Sequence, residues 1–388
     1  MRRKICIFTG TRAEYGLLKP LIDELIAKES VHLQLIITGM HLSSEFGYTF
    51  DEIDTYGIDE FEKVEILLSS DSPVGVSKAM GLGMISFAET LQRFRPDLLI
   101  GLGDRFELLS VVAAATVLGI PVAHLHGGEL TEGAIDESFR HAITKMSHFH
   151  FASTELYKNR IIQMGENPEY VFNVGAIGLD NLKTMHLLSK EELEKEIGFK
   201  ITEKTAMVTF HPVTTEPNSA QLQFSELLTA LSEIDKLRVI FTKPNADASG
   251  RVITKLIDDF VHANQDRAIS FFSLGHLKFL SALKFVSCLV GNSSSGIIEV
   301  PSLKTPTVNI GDRQKGRVKA ESIIDCKPFS EDIKAAVEKA LKPEMRMNLE
   351  LFKNPYEISQ GFTSKRIKEI ILSASTIGMT KKKFYDLR

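Results

Sequence analysis

The stretch Val290-Gly-Asn-Ser-Ser-Ser-Gly-Ile-Ile-Glu299 sets small and hydroxylated residues between an apolar run and a helical start. No bulky side chain stands between Gly291 and Gly296. A helix opening there aims free backbone N–H groups, with the hydroxyls of Ser293, Ser294 and Ser295 beside them, at whatever lies in front. That arrangement suits an anion. Glu299, in the first turn expected of this helix, is placed to accept hydrogen bonds from the hydroxyls of a ribose on that anion. The stretch therefore reads as a nucleoside diphosphate site, against the ordinary alternative of a serine N-cap on a structural helix.

Acids, bases and cations recur just past other apolar runs. Arg12, Asp104, Arg105, His126 and Glu129 occupy such places in the first half, and His211, Asn245, Ser293, Ser294 and Arg313 in the second. Carboxylates and histidines there suit proton transfer, and arginines suit anion binding. Each residue also has an ordinary reading. Arg12 can pair with a surface acid, Asp104 can cap the helix beginning near Arg105, and Asn245 and His211 can be turn residues. Asp136 opens a helix that carries Arg140 and His141, where an N-cap is its ordinary role. The segment His124-Leu-His-Gly-Gly-Glu129 invites a test as a metal site, because strand alternation puts both histidines on one side with an acid nearby. No third protein ligand is identifiable, so the expectation is acid–base chemistry without a metal or other cofactor.

These residues need a scaffold that brings strand ends together. Ile5 to Thr9 is a short apolar run followed by Gly10-Thr11-Arg12, and Leu17, Leu18, Leu21, Ile22, Leu25 and Ile26 then recur at helical spacing. Strand patterns follow at Leu33–Thr38, Val64–Leu68, Leu98–Leu102, Pro121–Leu125, Phe149–Ala152 and Tyr170–Val174. Helical patterns lie between them at Val76–Phe94, Phe106–Leu118 and Asp136–Ser147. The alternation predicts a parallel sheet covered on both faces. The charged stretch Ser189–Lys204 interrupts it and marks a boundary between domains 1–188 and 189–388. Strands resume at Ala206–Phe210, Val239–Thr242, Ile269–Phe272, Phe285–Val290 and Thr307–Ile310. Two doubly wound halves place their ligand-bearing loops at the carboxyl ends of the strands, with a cleft between them as the expected site. The last helical segment, about Ser364 to Ser373, can cross back to the first domain.

Composition narrows the class. A chain of 388 residues favours two domains, and a formal net charge of −4 gives no general attraction to nucleic acid or an anionic membrane. Any anion must be held locally. The three cysteines, Cys6, Cys288 and Cys326, are far apart and match no metal spacing, so they read as buried thiols in a reducing compartment. Met-Arg-Arg-Lys opens the chain, but the apolar run after it ends at Gly10, too short for a secretory signal. With no stretch of membrane-spanning length, the expectation is a cytoplasmic protein.

Taken together, Gly10-Thr-Arg-Ala-Glu-Tyr15, Gly103-Asp-Arg105, His124-Leu-His-Gly-Gly-Glu129, Arg140-His141, His211-Pro212, Gly291-Asn-Ser-Ser-Ser-Gly296 and Gly311-Asp-Arg-Gln314 carry a resemblance. From about Ile5 to Arg317 the chain resembles the hydrolysing UDP-N-acetylglucosamine 2-epimerases of bacterial sialic-acid pathways. The resemblance implies an α/β architecture of two Rossmann-like domains facing a cleft, of the GT-B type, with UDP held mainly by the second. It places Arg12, His211, Asn245, Ser293, Ser294, Glu299 and Arg313 at nucleotide-binding positions and Leu274 at a backbone contact. Ser295, Gly296, Arg140 and His141 join the substrate-binding set. Asp104, Arg105 and Asp136 fall near the sugar. The acid/base candidates are Asp104, His126, Glu129 and Asp136, and His211 is counted with them for the leaving group. Some members of the family carry glutamate where this chain has His126.

The implied reaction converts UDP-N-acetylglucosamine and water to N-acetylmannosamine and UDP through a 2-acetamidoglucal. The implied assembly is a homo-oligomer. The rival substrate is UDP-N,N'-diacetylbacillosamine, whose sugar differs at C4 and C6. A GT-B glycosyltransferase, which keeps the UDP site but transfers the sugar to an acceptor, is the rival of another class.

Overall fold

The computed structural model describes residues 2–44, 48–68, 72–132, 135–212, 219–244, 250–376 and 378–387. Asn245, expected among the nucleotide-binding residues, lies outside the described residues. The chain divides into two compact units, the first comprising Met1–Glu129, Asp136–Asn181 and Tyr356–Arg388, the second Leu130–Ile135 and Leu182–Pro355.

In the first unit the elements run β1 (Arg3–Thr9), α1 (Arg12–Ile26), β2 (Val31–Thr38), β3 (Glu60–Val64), α2 (Pro73–Phe94), β4 (Leu98–Leu102), α3 (Phe106–Val117), β5 (Val122–Leu125), α4 (Asp136–Met146), β6 (Phe149–Ala152), α5 (Glu155–Gln163) and β7 (Val171–Asn173). The chain leaves this unit within α6 (Leu179–Thr184). The second unit runs α7 (Lys190–Ile197), β8 (Thr205–Thr209), α8 (Ser219–Ser232), β9 (Arg238–Thr242), α9 (Gly250–Ala263), β10 (Ala268–Phe271), α10 (Gly275–Phe285), β11 (Cys288–Gly291), α11 (Ser295–Ile298), β12 (Thr307–Ile310), β13 (Ile323–Cys326), α12 (Ser330–Ala340) and α13 (Pro343–Asn348). The last helix, α14 (Thr363–Ser373), belongs to the first unit.

Both sheets are parallel and doubly wound. The first has strand order β3-β2-β1-β4-β5-β6-β7 and the second β10-β9-β8-β11-β12-β13. In each sheet the order reverses at one place, between β1 and β4 and between β8 and β11, and the strand ends flanking such a reversal leave a crevice for a ligand. Side chains along a strand alternate between two cores. From β1, Ile5 and Ile7 pack with Leu18 and Leu21 of α1 and Ile367 and Ile371 of α14, whereas Cys6 and Phe8 pack with Phe87 and Leu91 of α2 and Val111 of α3. From β8, Ala206 and Val208 face α8 and α12 while Met207 faces α7 and α10. Burial on both faces explains why these strands read as continuous apolar runs.

The expected strands Leu98–Leu102, Phe149–Ala152 and Thr307–Ile310 are observed with those bounds. Four places differ. The third strand is Glu60–Val64 and not Val64–Leu68, because it is an edge strand whose charged residues carry no apolar signal. Phe285 ends α10, so only Cys288–Gly291 of the expected Phe285–Val290 run is strand. The edge strand β13, with Asp325 in a short polar setting, was not expected. Within the charged stretch after Ser189, a capping box of Ser189 and Glu192 starts α7, whose Leu193 and Ile197 are buried. The chain passes to the second unit earlier than that stretch, because Leu182, Met185, Leu187 and Leu188 already pack against the second unit's core.

The return of α14 is fixed by a buried carboxylate. Asp180 accepts the N–H groups of Thr363 and Ser364 at 2.9 and 2.7 Å, the first donors of the helix. Nearby, the Tyr157 and Tyr356 hydroxyls are 2.9 Å apart and the Ala176 N–H donates to the Tyr356 carbonyl at 3.0 Å. Asp180→Ala strands two buried donors and should lower the unfolding free energy by about 2–4 kcal/mol. Urea denaturation checks this, and a loss below about 0.5 kcal/mol would contradict the assignment.

Candidate active site

At the carboxyl edge of the first sheet a buried guanidinium organises the acids. Arg140 of α4, 2% exposed, pairs with the Asp104 carboxylate, lies 3.5 Å from Glu129 and donates to the His126 carbonyl at 3.3 Å. Asp104 follows β4, and Arg105, not Asp104, occupies the N-cap of α3 without a side-chain cap bond. Burying a charge is tolerable only when opposite charge and hydrogen bonds meet it, and Arg140 meets both.

The two histidines of the His124-Leu-His126 segment do not share a side. The strand ends at Leu125, and His126 adopts a left-handed φ of +62°, which breaks the alternation. His124 turns into the core, its Nδ1 3.1 Å from the Thr144 hydroxyl and its Nε2 2.7 Å from the Gly103 carbonyl. Burial holds it neutral, lowering its pKa to about 3. Fully buried, with both ring nitrogens engaged, it is a structural residue. Among the described residues no three His, Cys, Asp or Glu side chains gather as a metal site.

His126 faces Glu129. Its Nδ1 is 2.8 Å from one Glu129 oxygen, which also accepts the Ser153 hydroxyl at 2.7 Å. The Ile177 N–H donates to His126 Nε2 at 3.4 Å, which assigns the ring proton to Nδ1 and the lone pair to Nε2. Glu129 is 1% exposed and met on both oxygens, which lets it orient the imidazole. Asp136 begins α4, and His141 pairs with Glu137 at 3.1 Å on the same helix.

A second acidic group flanks the β1 and β4 ends. Glu107, 1% exposed, accepts Nε and Nη2 of Arg105 at 3.2 and 3.3 Å. Glu14 accepts the Gly10 and Thr11 N–H groups at 2.8 and 3.1 Å, closing a capping box with Thr11. Neither acid was singled out from the sequence, although the Thr11-x-x-Glu14 spacing is a readable helix-start signal. Arg12, at the start of α1, pairs with Glu52 at 2.6 Å, the ordinary role open to it.

In the second unit, Asn292 is the brace that sequence reasoning left without a role. Its side chain accepts the His211 N–H at 2.7 Å and donates to the His211 carbonyl at 2.8 Å, tying the end of β8 to the end of β11. Its own carbonyl accepts Arg313 Nη1 and Gln314 Nε2, each at 2.9 Å. One asparagine thus sets His211 and Arg313 around the β8–β11 reversal. The close approach requires Gly291, since a Cβ there would stand 1.9 Å from the Thr209 carbonyl oxygen at φ +141°.

The expected fan of N–H groups is smaller than foreseen. The helix is a single turn, Ser295–Ile298, because Pro301 follows and the chain continues as a 3-10 turn at Val300–Leu303. The Ser295 N–H donates to Ser293 Oγ at 3.3 Å and the Gly296 N–H to the Ser293 carbonyl at 3.2 Å. One turn also has little macrodipole. What this end of the sheet offers is therefore side chains, those of Ser293, Ser294, His211 and Arg313, more than a helix terminus. Glu299 sits at the C-terminal cap of the turn, 7% exposed. Leu274, 6% exposed, is the N-cap residue of α10.

Matches to known proteins bear on the family and the fold. The family model described as UDP-N-acetylglucosamine 2-epimerase matches residues 23–372. A GDP/UDP-N,N'-diacetylbacillosamine 2-epimerase (hydrolyzing) of Campylobacter jejuni is 42% identical over 350 residues, covering 89% of this chain and 90% of its own. A UDP-N-acetylglucosamine 2-epimerase of Neisseria meningitidis is 30% identical over 391 residues, with 100% of each chain covered. Among solved structures, the UDP-GlcNAc 2-epimerase from Neisseria meningitidis bound to UDP-GlcNAc matches with a TM-score of 0.78 at 20% identity, covering 96% of this chain and 100% of that one. That structural likeness is one of fold.

The Glu14 carboxyl, beside Arg105 and Glu107, registers its burial. Burial pushes Glu14 up to about 7 from its ordinary 4.5, and the Glu107 charge adds to the rise against the pull of Arg105 and the two N–H groups. Folding therefore favours protonated Glu14, and this contribution to stability is whole below pH 4.5 and lost as pH rises through about 7. Glu14→Gln cannot ionise. Its unfolding free energy should gain on that of the unsubstituted protein between about pH 5 and about pH 8 in urea titrations, and a pH-independent difference would contradict the account.

Proposed function

This chain belongs to the UDP-N-acetylglucosamine 2-epimerase family, and we propose that it is a hydrolysing UDP-sugar 2-epimerase whose sugar is N,N'-diacetylbacillosamine. The observation that carries the chemistry is the Asp104–Arg140–Glu129–His126 network at one sheet edge. A buried carboxylate fixing the imidazole by Nδ1 puts the lone pair on Nε2, where a substrate proton would replace the long contact from the Ile177 N–H, the logic of an oriented general base. In the proposed course His126 Nε2 takes the C2 proton. The C1–O bond breaks with its electron pair going to the UDP oxygen, and a C1–C2 double bond forms. Water then adds, its oxygen to C1 and a proton to C2 from the opposite face, with Asp104 and Asp136 handling these protons. The C2 proton is weakly acidic, so stabilising the leaving diphosphate supplies much of the activation. His211, Arg313, Ser293 and Ser294 fit that role, with Arg12, Asn245 and Glu299 on the nucleoside.

The choice of sugar rests on the relatives' identities, 42% for the protein named for diacetylbacillosamine against 30% for the one named for UDP-N-acetylglucosamine. The second reading, UDP-N-acetylglucosamine, is favoured by the end-to-end match of the Neisseria protein. NMR of the products from each UDP-sugar, without any acceptor, decides between them. Free 2-epimerised diacetylbacillosamine and UDP are expected as the faster products. Faster release of N-acetylmannosamine would move the assignment to the second reading, and no release from either would overturn both. Asp104→Asn and Asp136→Asn should lose at least about a hundredfold in kcat while binding UDP within about twofold of the unsubstituted protein.

A further inference from the structure

The helix that carries Arg140 is fixed at its far end by residues from elsewhere in the chain. α4 starts from the loop after β5, at the carboxyl edge of the first sheet, so its last turn lies at the opposite edge, where the chain enters β6. The carbonyls that end a helix have no partners inside it. Here the Ile143 carbonyl accepts the Ser147 hydroxyl at 2.8 Å and the Thr144 carbonyl the Ser147 N–H at 3.1 Å. The Lys145 carbonyl accepts the Lys382 ammonium at 2.7 Å, and the same ammonium donates to the Ser147 carbonyl at 2.6 Å. A cation is the favoured partner for this negative end of a helix.

Lys382 is itself held. Its ammonium pairs with Glu166, a carboxylate 2% exposed just past α5, whose other oxygen is 2.6 Å from Lys145 Nζ. His150 Nε2 lies 3.0 Å from the oxygen that Lys382 meets. One buried acid thus joins the last turn of α4, β6 and the segment 378–387. Two further anchors hold that segment: the Tyr385 N–H donates to the Gly165 carbonyl at 2.9 Å, and the Phe384 ring packs so closely on Gly165 that a Cβ there would stand 2.3 Å from its Cζ. Lys145 Nζ is 4.8 Å from the centre of the same ring. Between these anchors a cavity of about 390 Å³ opens, lined by His148, Glu166 and Tyr170 together with Met379, Lys382 and Phe384 of the segment. The segment is attached at points and not along its length.

We propose that the segment 378–387 is a strap and that Lys382 is a positioning residue for the reaction. By tying the last turn of α4 to Glu166 it fixes that helix along its axis, and with it the Arg140 guanidinium that meets Asp104 and Glu129. This rests on the reading above, in which those acids and His126 carry the proton transfers. The stretch between the two cations is stiff, because the Thr144 hydroxyl donates to the Arg140 carbonyl at 2.9 Å and Ile143 is fully buried in the core. Small displacements of groups that act on a bound substrate cost much of the rate, so a helix free to slide loses turnover and not nucleotide affinity. Lys382 acts from the opposite edge of the sheet, without touching substrate.

The test uses full-length variants, read in kcat per folded molecule and KM for the UDP-sugar found to be turned over, and in UDP affinity by calorimetry. Lys382→Met keeps the reach of the side chain and removes its charge and donors. Its kcat should fall at least about tenfold with KM and UDP affinity within about twofold, and Lys382→Arg should stay within about threefold of the unsubstituted protein in kcat. An unchanged kcat in Lys382→Met would overturn the inference and leave Lys382 a structural residue. A loss carried by KM and UDP affinity, or one that Lys382→Arg shows in equal measure, would overturn it as well. Tyr385→Pro covers the case in which Lys382→Met does not fold, since it removes one N–H anchor of the strap and no charge. Its kcat should fall about threefold, and an unchanged kcat would overturn the inference. The underlying reading fails separately, if Asp104→Asn keeps its turnover.

Discussion

The buried charge of Arg140 is the constraint on which the first unit's site depends. A guanidinium 2% exposed cannot stand in a protein interior without compensation, and the compensation is supplied by Asp104 from the end of β4 and Glu129 from the loop after β5. Satisfying one charge therefore gathers the ends of two neighbouring strands and the first turns of α4. Glu129, held there by one oxygen, turns the other to His126 and Ser153, and the left-handed backbone at His126 lets that ring leave the strand's alternation. Structure and chemistry share the same atoms. Removing the cation would leave Glu129 a buried acid without its paired charge.

The second unit solves a similar problem without charge. Asn292 matches both backbone groups of His211 and lends its carbonyl to Arg313 and Gln314. This works because Gly291 allows β11 to approach β8 more closely than a side chain would permit. The short turn at Ser295–Ile298 spends its first N–H groups on Ser293, so the site depends on side chains placed by Asn292 more than on a helix terminus.

How much of this was legible in the sequence follows from how far each signal reaches along the chain. Central parallel strands such as Leu98–Leu102 and Thr307–Ile310 are apolar on both faces and announce themselves. The edge strands Glu60–Val64 and Ile323–Cys326 carry charge where they meet solvent and do not. Residues at strand ends were found because the position is local, which is how Asp104, His126 and His211 entered the candidate set. The pairings of Asp104 and His211 were not legible, because Arg140 pairs with Asp104 across 36 residues and Asn292 with His211 across 81, distances over which spacing says nothing. The shared face expected of His124 and His126 failed for a conformational reason, a positive φ that no β-strand pattern encodes.

The account's central claim is that C2 loses its proton and C1 its nucleotide before water adds across the resulting double bond. The most direct measurement is the fate of isotopes when the enzyme turns over a UDP-2-acetamido sugar in doubly labelled water. Proton removal and replacement places deuterium at C2 of the released, inverted sugar, and attack by water at C1 places the oxygen label on that carbon with the UDP phosphates unlabelled. A simple hydrolase would give the oxygen label without deuterium and keep the C2 configuration, and a non-hydrolysing epimerase would return a deuterated UDP-sugar. The double label on a free epimerised sugar is the predicted result, and protium at C2 of that sugar would contradict it.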